Sequence, residues 1–107
     1  MRDFVTLSDE EKRALSNASL TSRGINVAAA SVVLLNPNPN RKLCTICNDS
    51  ANIVYLSLGQ VAVTAEGIRL NPNGGVFTLG EFSDFPYFGS VSAISVAAGS
   101  NVIITEV

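Results

Sequence analysis

The chain has 107 residues, a formal net charge of −2 and 15% charged side chains. That length fits one domain with a modest core, and the weak negative charge gives no electrostatic footprint for nucleic acid or for an anionic membrane. No run of residues reaches the roughly 18 apolar positions of a transmembrane helix. The acidic N-terminus lacks the apolar core of a cleaved signal sequence, so we expect neither secretion by that route nor a membrane span.

The charged side chains are unevenly distributed. Half of them fall within residues 1–24, namely Arg2, Asp3, Asp9, Glu10, Glu11, Lys12, Arg13 and Arg23. The rest of the chain carries fewer charges than a free β-sheet domain needs to keep its faces and edges in water. Either Ser, Thr and Asn side chains do the solvating, or neighbouring subunits cover much of the surface, since charge is depleted in the cores of interfaces.

In chain order, the first predicted element is a short helix over about residues 8–17. Ser8 as N-cap places Glu11 at the third helical position, which is the capping-box arrangement. The apolar surface of this helix is too small to stabilise it alone, so we expect it to dock on its own domain or on a neighbour, with Arg13 and Leu15 as candidate contacts. We predict an N-terminal arm over residues 1–24 and a β-sandwich domain over residues 25–107.

Residues 25–107 consist of short apolar, β-branched runs separated by Asn, Gly, Pro and Asp, which is typical of antiparallel strands. Residues 25–35 predict one strand or two short ones, ended by an Asn-Pro-Asn-Pro-Asn segment. Further strands are predicted over 41–48, 52–58, 67–70, 76–79, 88–96 and 101–106, with a brief pairing over 61–65. The strands over 41–48 and 52–58 should form a hairpin. Seven or eight strands predict an all-β fold, a single antiparallel β-sandwich or small barrel.

Few side chains are suited to catalysis or metal binding. The sequence contains no His, the commonest metal ligand and general base. Cys44 and Cys47 are three residues apart in a predicted strand and so point to opposite faces, which predicts two separate, largely buried thiols without a disulfide or zinc site. The carboxylates of the predicted loops form no recognised ligand motif. We therefore predict no catalytic residue, no cofactor and no metal.

The richest local feature is a loop that holds four of the chain's aromatic side chains: Phe82, Phe85, Tyr87 and Phe88. Three interpretations compete. The rings close one end of the core, they anchor a subunit interface, where aromatic residues dominate the binding energy, or they stack on a carbohydrate or other ligand. Loops on a β scaffold often carry binding functions, so all three stay open.

The runs R-K-L-C-T-I-C-N, N-I-V-Y-L-S-L-G, G-I-R-L-N-P-N-G-G, G-S-V-S-A-I-S-V and N-V-I-I-T-E-V together resemble a pattern of small β-sandwich virion proteins of tailed bacteriophages. The resemblance covers residues 41–107 and rests mostly on turn and core chemistry. The long Asn73-Gly74-Gly75 turn and the aromatic segment over 82–88 depart from the pattern. The matching positions are Arg41, Asn48, Tyr55, Gly59, Gly67, Leu70, Pro72, Gly89, Ala93, Ile94 and Glu106.

The resemblance implies a capsid decoration or cement protein, a fibre anchor or another tail-associated protein. Together with the low charge, it predicts a non-enzymatic structural protein of the virus particle, assembled in the host cytoplasm. Such a protein would act as a trimer or another cyclic homo-oligomer and would bind the major capsid protein or another virion protein. The alternatives are a tail, neck or fibre-anchoring component, and a glycan- or receptor-binding module that uses the aromatic loop over residues 82–88.

Overall fold

The computed structural model describes residues 20–107 and contains eight strands within that range. The predicted helix over 8–17, with Arg13 and Leu15, lies outside the described residues. The prediction of an all-β fold with seven or eight strands is confirmed. The strands are β1 (Thr21–Val27), β2 (Val32–Leu35), β3 (Cys44–Asn48), β4 (Val54–Leu58), β5 (Ile68–Leu70), β6 (Gly75–Leu79), β7 (Val91–Ser95) and β8 (Ser100–Glu106).

The strands form two four-stranded antiparallel sheets that pack as a sandwich and do not close into a barrel. Sheet A has the strand order β1-β8-β3-β6, and sheet B has the order β2-β7-β4-β5. The pairing is nested, because β1 pairs with β8, β2 with β7, β3 with β6 and β4 with β5, and successive pairs alternate between the sheets. This is the jelly-roll topology, which results when a long hairpin of eight strands is rolled into two sheets.

The core lies between the inner faces of the two sheets. Along β3, Cys44, Ile46 and Asn48 point inward and are fully buried, whereas Thr45 and Cys47 point outward. This alternation has the two-residue period of a strand with one face in the core. It confirms that the two cysteines point to opposite faces, and both thiols are free.

The predicted hairpin between residues 41–48 and 52–58 is wrong. β3 belongs to sheet A and β4 to sheet B, so the chain changes sheets between them. Asn48 explains the change, because its buried Nδ2 lies 2.7, 3.2 and 3.1 Å from the carbonyl oxygens of Asn52, Leu70 and Asn71. A buried amide that joins three segments fixes the corner, whereas the turn residues alone are equally compatible with a hairpin.

Residues 25–35 contribute to two strands, which was one of the two alternatives. β1 begins at Thr21, inside the segment expected to be the N-terminal arm, so the expected boundary between residues 24 and 25 falls within a strand. The reason is pairing with β8 along the whole strand. The hydroxyls of Ser22 and Thr105 are 3.2 Å apart, and Arg23 Nη1 donates to Glu106 Oε1 at 2.6 Å. Cross-strand partners hold a strand that is too polar to be recognised from its own sequence.

Candidate interaction surfaces

The aromatic segment forms the connection between β6 and β7 and is held against the residues before β3. The backbone N–H groups of Glu81 and Phe82 donate to the carbonyl oxygens of Arg41 and Lys42 at 3.0 and 2.9 Å. Ser83 is buried, and its Oγ accepts a hydrogen bond from the Phe85 N–H at 3.0 Å. The connection is therefore fixed by backbone hydrogen bonds, although it contains no strand.

Two of the four aromatic residues of this loop join one cluster of rings. Phe85 packs edge-on against Phe77 of β6, with ring centroids 5.4 Å apart, and its centroid lies 6.1 Å from that of Tyr87. Tyr87 packs against the core, and its hydroxyl donates to the Ser90 carbonyl at 2.8 Å. Phe85 is 40% exposed. Tyr87 therefore packs against the core while part of the Phe85 ring stays exposed, and the interface and ligand interpretations of the loop stay predictions.

The other predicted contact residues are Phe82, Phe88, Arg13 and Leu15. Phe82 and Phe88 are half-buried on the two sides of the Phe85–Tyr87 pair along the chain. Arg13 and Leu15 lie outside the described residues. The role of all four as interface residues therefore stays a prediction.

Arg41 is a buried cation, only 2% exposed, that joins the aromatic connection to the Asn-Pro-Asn-Pro-Asn segment. Its Nη1 donates to the carbonyl oxygens of Tyr87 and Gly89 at 3.2 and 3.0 Å, and its Nη2 donates to that of Asn36 at 2.8 Å. The buried Nε has no hydrogen-bond partner. The planar guanidinium reaches acceptors on both segments at once through two separate nitrogens, Nη1 and Nη2. Residues 41–43 therefore hold the aromatic connection in place and do not form part of a strand. The strand predicted over 41–48 begins only at Cys44.

The outer face of sheet A carries no charged side chain on any of its four strands. We call this surface the sheet A face. All of its positions are exposed or half-exposed in residues 20–107. They are Ser22, Gly24 and Asn26 of β1, Asn101, Ile103 and Thr105 of β8, Thr45 and Cys47 of β3, and Val76 and Thr78 of β6.

Two rows cross the sheet A face at right angles to the strands. One is a hydroxyl row that runs through Ser22, Thr105, Thr45 and Thr78, which are aligned by the strand register. The next is an aliphatic row, formed by Gly24, Ile103, Cys47 and Val76. Neighbouring strands are about 4.8 Å apart, so each row is roughly 15 Å long. Val76 is 54% exposed at the end of its row.

On sheet B, the outward side chains of β7 are covered by the chain itself, whereas Val33 of β2 is 54% exposed. Ser92 and Ile94 point outward from β7, yet they are only 6% and 9% exposed. The connection between β4 and β5 runs over them, because the Ala62 N–H donates to Ser31 Oγ, just before β2, at 2.9 Å. The prediction of a brief strand over 61–65 is wrong, since this segment crosses a sheet face and does not pair with it.

An open cleft of about 230 Å³ lies beside this covering segment. It is lined by Ser57, Gln60, Val61, Val63, Glu66 and Gly67. Val61 and Val63 are 72% and 50% exposed and flank the buried Ala62. Its lining combines the Glu66 carboxylate and the polar side chains of Ser57 and Gln60 with the two valine side chains, so the cleft is of mixed character.

The two cysteines differ in their environments as much as in their directions. Burial, with a smaller contribution from the Glu106 carboxylate, raises the pKa of the Cys44 thiol from 9.0 to about 11, against the opposing effects of Arg41 and Arg23. Cys44 is fully buried, whereas Cys47 is half-exposed in the aliphatic row of the sheet A face. Cys47 therefore lies where a molecule that covers the sheet A face would change the accessibility of the thiol, and Cys44 does not.

No group of three or more Cys, Asp or Glu side chains within residues 20–107 is arranged to hold a metal ion. The same part of the chain has no apolar helix of membrane-spanning length. No protein-family model, curated protein sequence or solved structure matches this chain.

The sheet A face and the buried Arg41 were not identified as functional features from the sequence. A signal for the face exists, because the outward positions of T-I-C, V-F-T and V-I-I-T are all uncharged. However, the four strands are far apart in the chain, so this property becomes a surface only when their register is known.

Proposed function

We propose that this chain is a structural protein of a virus particle, a capsid decoration protein that acts by binding and not by catalysis. It works as a homo-oligomer on the shell and contacts the major capsid protein. The observation that carries the proposal is the sheet A face, a four-stranded surface without a single charge in a domain that has few charges elsewhere. Depletion of charge is the compositional mark of the buried centre of an interface.

The fold supports the proposal at the level of analogy. Jelly rolls of eight strands in two sheets form viral capsid domains, but they also form lectin domains. A fold is shared by many functions, so the surface chemistry has to decide between them. The resemblance of residues 41–107 to small virion proteins of tailed bacteriophages favours a capsid function over a lectin function.

A second candidate function is recognition of a glycan or receptor through the aromatic loop. The exposed part of the Phe85 ring, held in place by Phe77 and Tyr87, favours it. Aromatic rings that are fixed by their neighbours bind at a low entropic cost. A Phe85→Ala variant tests this candidate. We expect the variant to keep its fold, and a glycan array that gives signal for the parent and none for the variant would favour recognition over decoration.

The experiment that tests the decoration function uses particles from the source of the sequence. Shells and tails are separated by sedimentation, and the chain is quantified in each fraction by mass spectrometry. The purified chain is then added back to shells and to free, unassembled shell protein. We expect the chain to be recovered in the shell fraction. When added back, the purified chain should bind assembled shells and not free, unassembled shell protein. Recovery only with tails would make it a tail, neck or fibre-anchoring component, and absence from all particle fractions would overturn the proposal.

A further inference from the structure

We infer that the sheet A face is the surface through which two copies of this chain meet, face to face about a twofold axis. This inference rests on the proposed function, which requires self-association but does not say where it occurs. In an isologous contact the same patch is used by both copies, so the patch must be complementary to itself. The chemistry of the sheet A face meets that condition.

Self-complementarity follows from the two rows. A hydroxyl group is both a donor and an acceptor, so the row of Ser22, Thr105, Thr45 and Thr78 can hydrogen-bond to a second copy of itself. The row of Ile103, Cys47 and Val76 is aliphatic and can pack against its own copy. A face without charges also meets no like-charge repulsion when it is paired with itself. A strongly charged partner, in contrast, would find nothing to pair with.

Sheet B shows that a connection of this chain can cover the outer side of a strand. On sheet B, the β4–β5 connection covers the outward side chains of β7, and the Ala62–Ser31 hydrogen bond holds it there. No hydrogen bond joins a connection of residues 20–107 to an outward side chain of the sheet A face. The aliphatic row is thus left for a cover that a second copy can provide.

The size of the face sets the expected strength of the contact. Four strands at about 4.8 Å and five residues at about 3.4 Å give roughly 300 Å² of flat area per copy. A stable interface buries about 800 Å² per partner. We therefore expect an association that is weak in dilute solution and becomes effective when copies are held close together on a particle.

The test measures the alkylation rate of Cys47 in the purified full-length chain as its concentration is raised from about 1 μM to about 1 mM. Peptide mass spectrometry separates Cys47 from Cys44, which is fully buried and serves as the unreactive internal reference. We expect the Cys47 rate to fall at least about fivefold with concentration, because the second copy covers the aliphatic row. The solution mass measured by light scattering should rise over the same range.

Charged variants locate the contact. Val76 and Val96 are both 54% exposed, and only Val76 lies on the sheet A face. We expect Val76→Lys to remove the protection of Cys47 over the whole range, and Val96→Lys, in the β7–β8 turn, to behave like the parent. Val76→Glu should act like Val76→Lys, because a charge of either sign would be buried without a partner where the two aliphatic rows meet.

Three results would overturn the inference. A Cys47 rate that is slow at every concentration, with a solution mass that stays that of one chain, would mean that something other than a second copy covers the face. A rate that is fast at every concentration would leave the face uncovered, and a rise in mass without protection would place the contact elsewhere. Because this experiment uses the purified chain alone, its outcome is separate from the presence of the chain in particles.

Discussion

The two outer faces of the sandwich differ in how far the chain itself covers them. On sheet B, the β4–β5 connection buries Ser92 and Ile94, so β7 is covered on both faces and lies in the middle of a small three-layered region. On sheet A, none of the outward side chains of the four strands is buried, although they include Ile103 and Val76. The difference shows that apolar side chains on a sheet face do not by themselves imply a cover formed by residues 20–107.

The β4–β5 connection ends at Gly67, which lies against the Leu56 carbonyl of β4. Its φ is +84°, and a Cβ at this position would collide with the Leu56 carbonyl. We expect Gly67→Ala to lower the free energy of unfolding by about 3–4 kcal/mol, because overpacking adds to the strain of a left-handed conformation. Gly99→Ala is the matched control, since Gly99 has a φ of +79° and open space around it. It should cost about 1–2 kcal/mol in urea denaturation, and equal losses would show that steric contact with β4 is unimportant.

A side chain buried beneath the β4–β5 connection should contribute to the free energy of unfolding as a core residue does. A side chain on the sheet A face should contribute little. We expect Ile94→Ala to cost about 2–3 kcal/mol, because Ile94 is 9% exposed and its removal leaves a cavity. Val76→Ala, at a position that is 54% exposed, should change stability by at most about 0.5 kcal/mol. Both are measured by thermal and urea denaturation at low protein concentration. Similar costs would contradict the contrast between the faces.

The two cysteines extend the comparison from the inner to the outer face of sheet A. Because the folded pKa of Cys44 is raised to about 11, the unfolded thiol ionises first as the pH rises. The folded state then binds more protons than the unfolded state, so the free energy of unfolding falls between pH 9 and about pH 11, by about 1–2 kcal/mol. Below the unfolded pKa the stabilisation is fully present.

Variants assign that pH dependence to one thiol. Tyrosine and lysine side chains titrate in the same range, so urea denaturation is compared between pH 8 and pH 11 for the parent, Cys44→Ala and Cys47→Ala. We expect Cys44→Ala to flatten the decline and Cys47→Ala to retain it. A decline that persists unchanged in Cys44→Ala would have another source.

The smallest expected effect concerns the hydrogen bond that holds the cover in place. Ser31→Ala leaves the Ala62 N–H without its acceptor, which should cost about 1 kcal/mol and speed hydrogen exchange at that amide. Ser22→Ala removes a hydroxyl that contacts Thr105 in an exposed pair on the sheet A face and should cost at most about 0.5 kcal/mol. If the Ala62 amide exchanges at its original rate in Ser31→Ala, the hydrogen bond does not hold the segment.

Much of the local structure could be predicted from the sequence, and almost none of the pairing. Apolar alternation and turn residues predict β3 to β8 to within a few residues, because both signals lie inside each segment. β1 begins earlier than expected, since Ser22 and Arg23 are held by partners on β8 that are far away in the chain. The hairpin expected between β3 and β4 is absent because Asn48 binds carbonyl groups beyond the turn and directs the chain to the other sheet.

The candidate surfaces divide in the same way. The sequence identified the aromatic residues over 82–88 as a group, but only the structure shows that Tyr87 closes the core while Phe85 stays exposed. It also shows that Arg41 holds this connection through backbone carbonyls, a role that has no sequence signature because carbonyl groups belong to every residue.

By itself, then, the sequence determined the all-β class, the approximate strands, the opposite directions of Cys44 and Cys47 and the scarcity of charge after residue 24. All of these follow from the two-residue period of a strand and from composition, which are local properties. The tertiary structure decided which strands share a sheet, which face the chain covers and where the uncharged residues gather into one surface. Those features depend on register between distant segments, and a shift of one residue would turn each outward side chain of the sheet A face into the core.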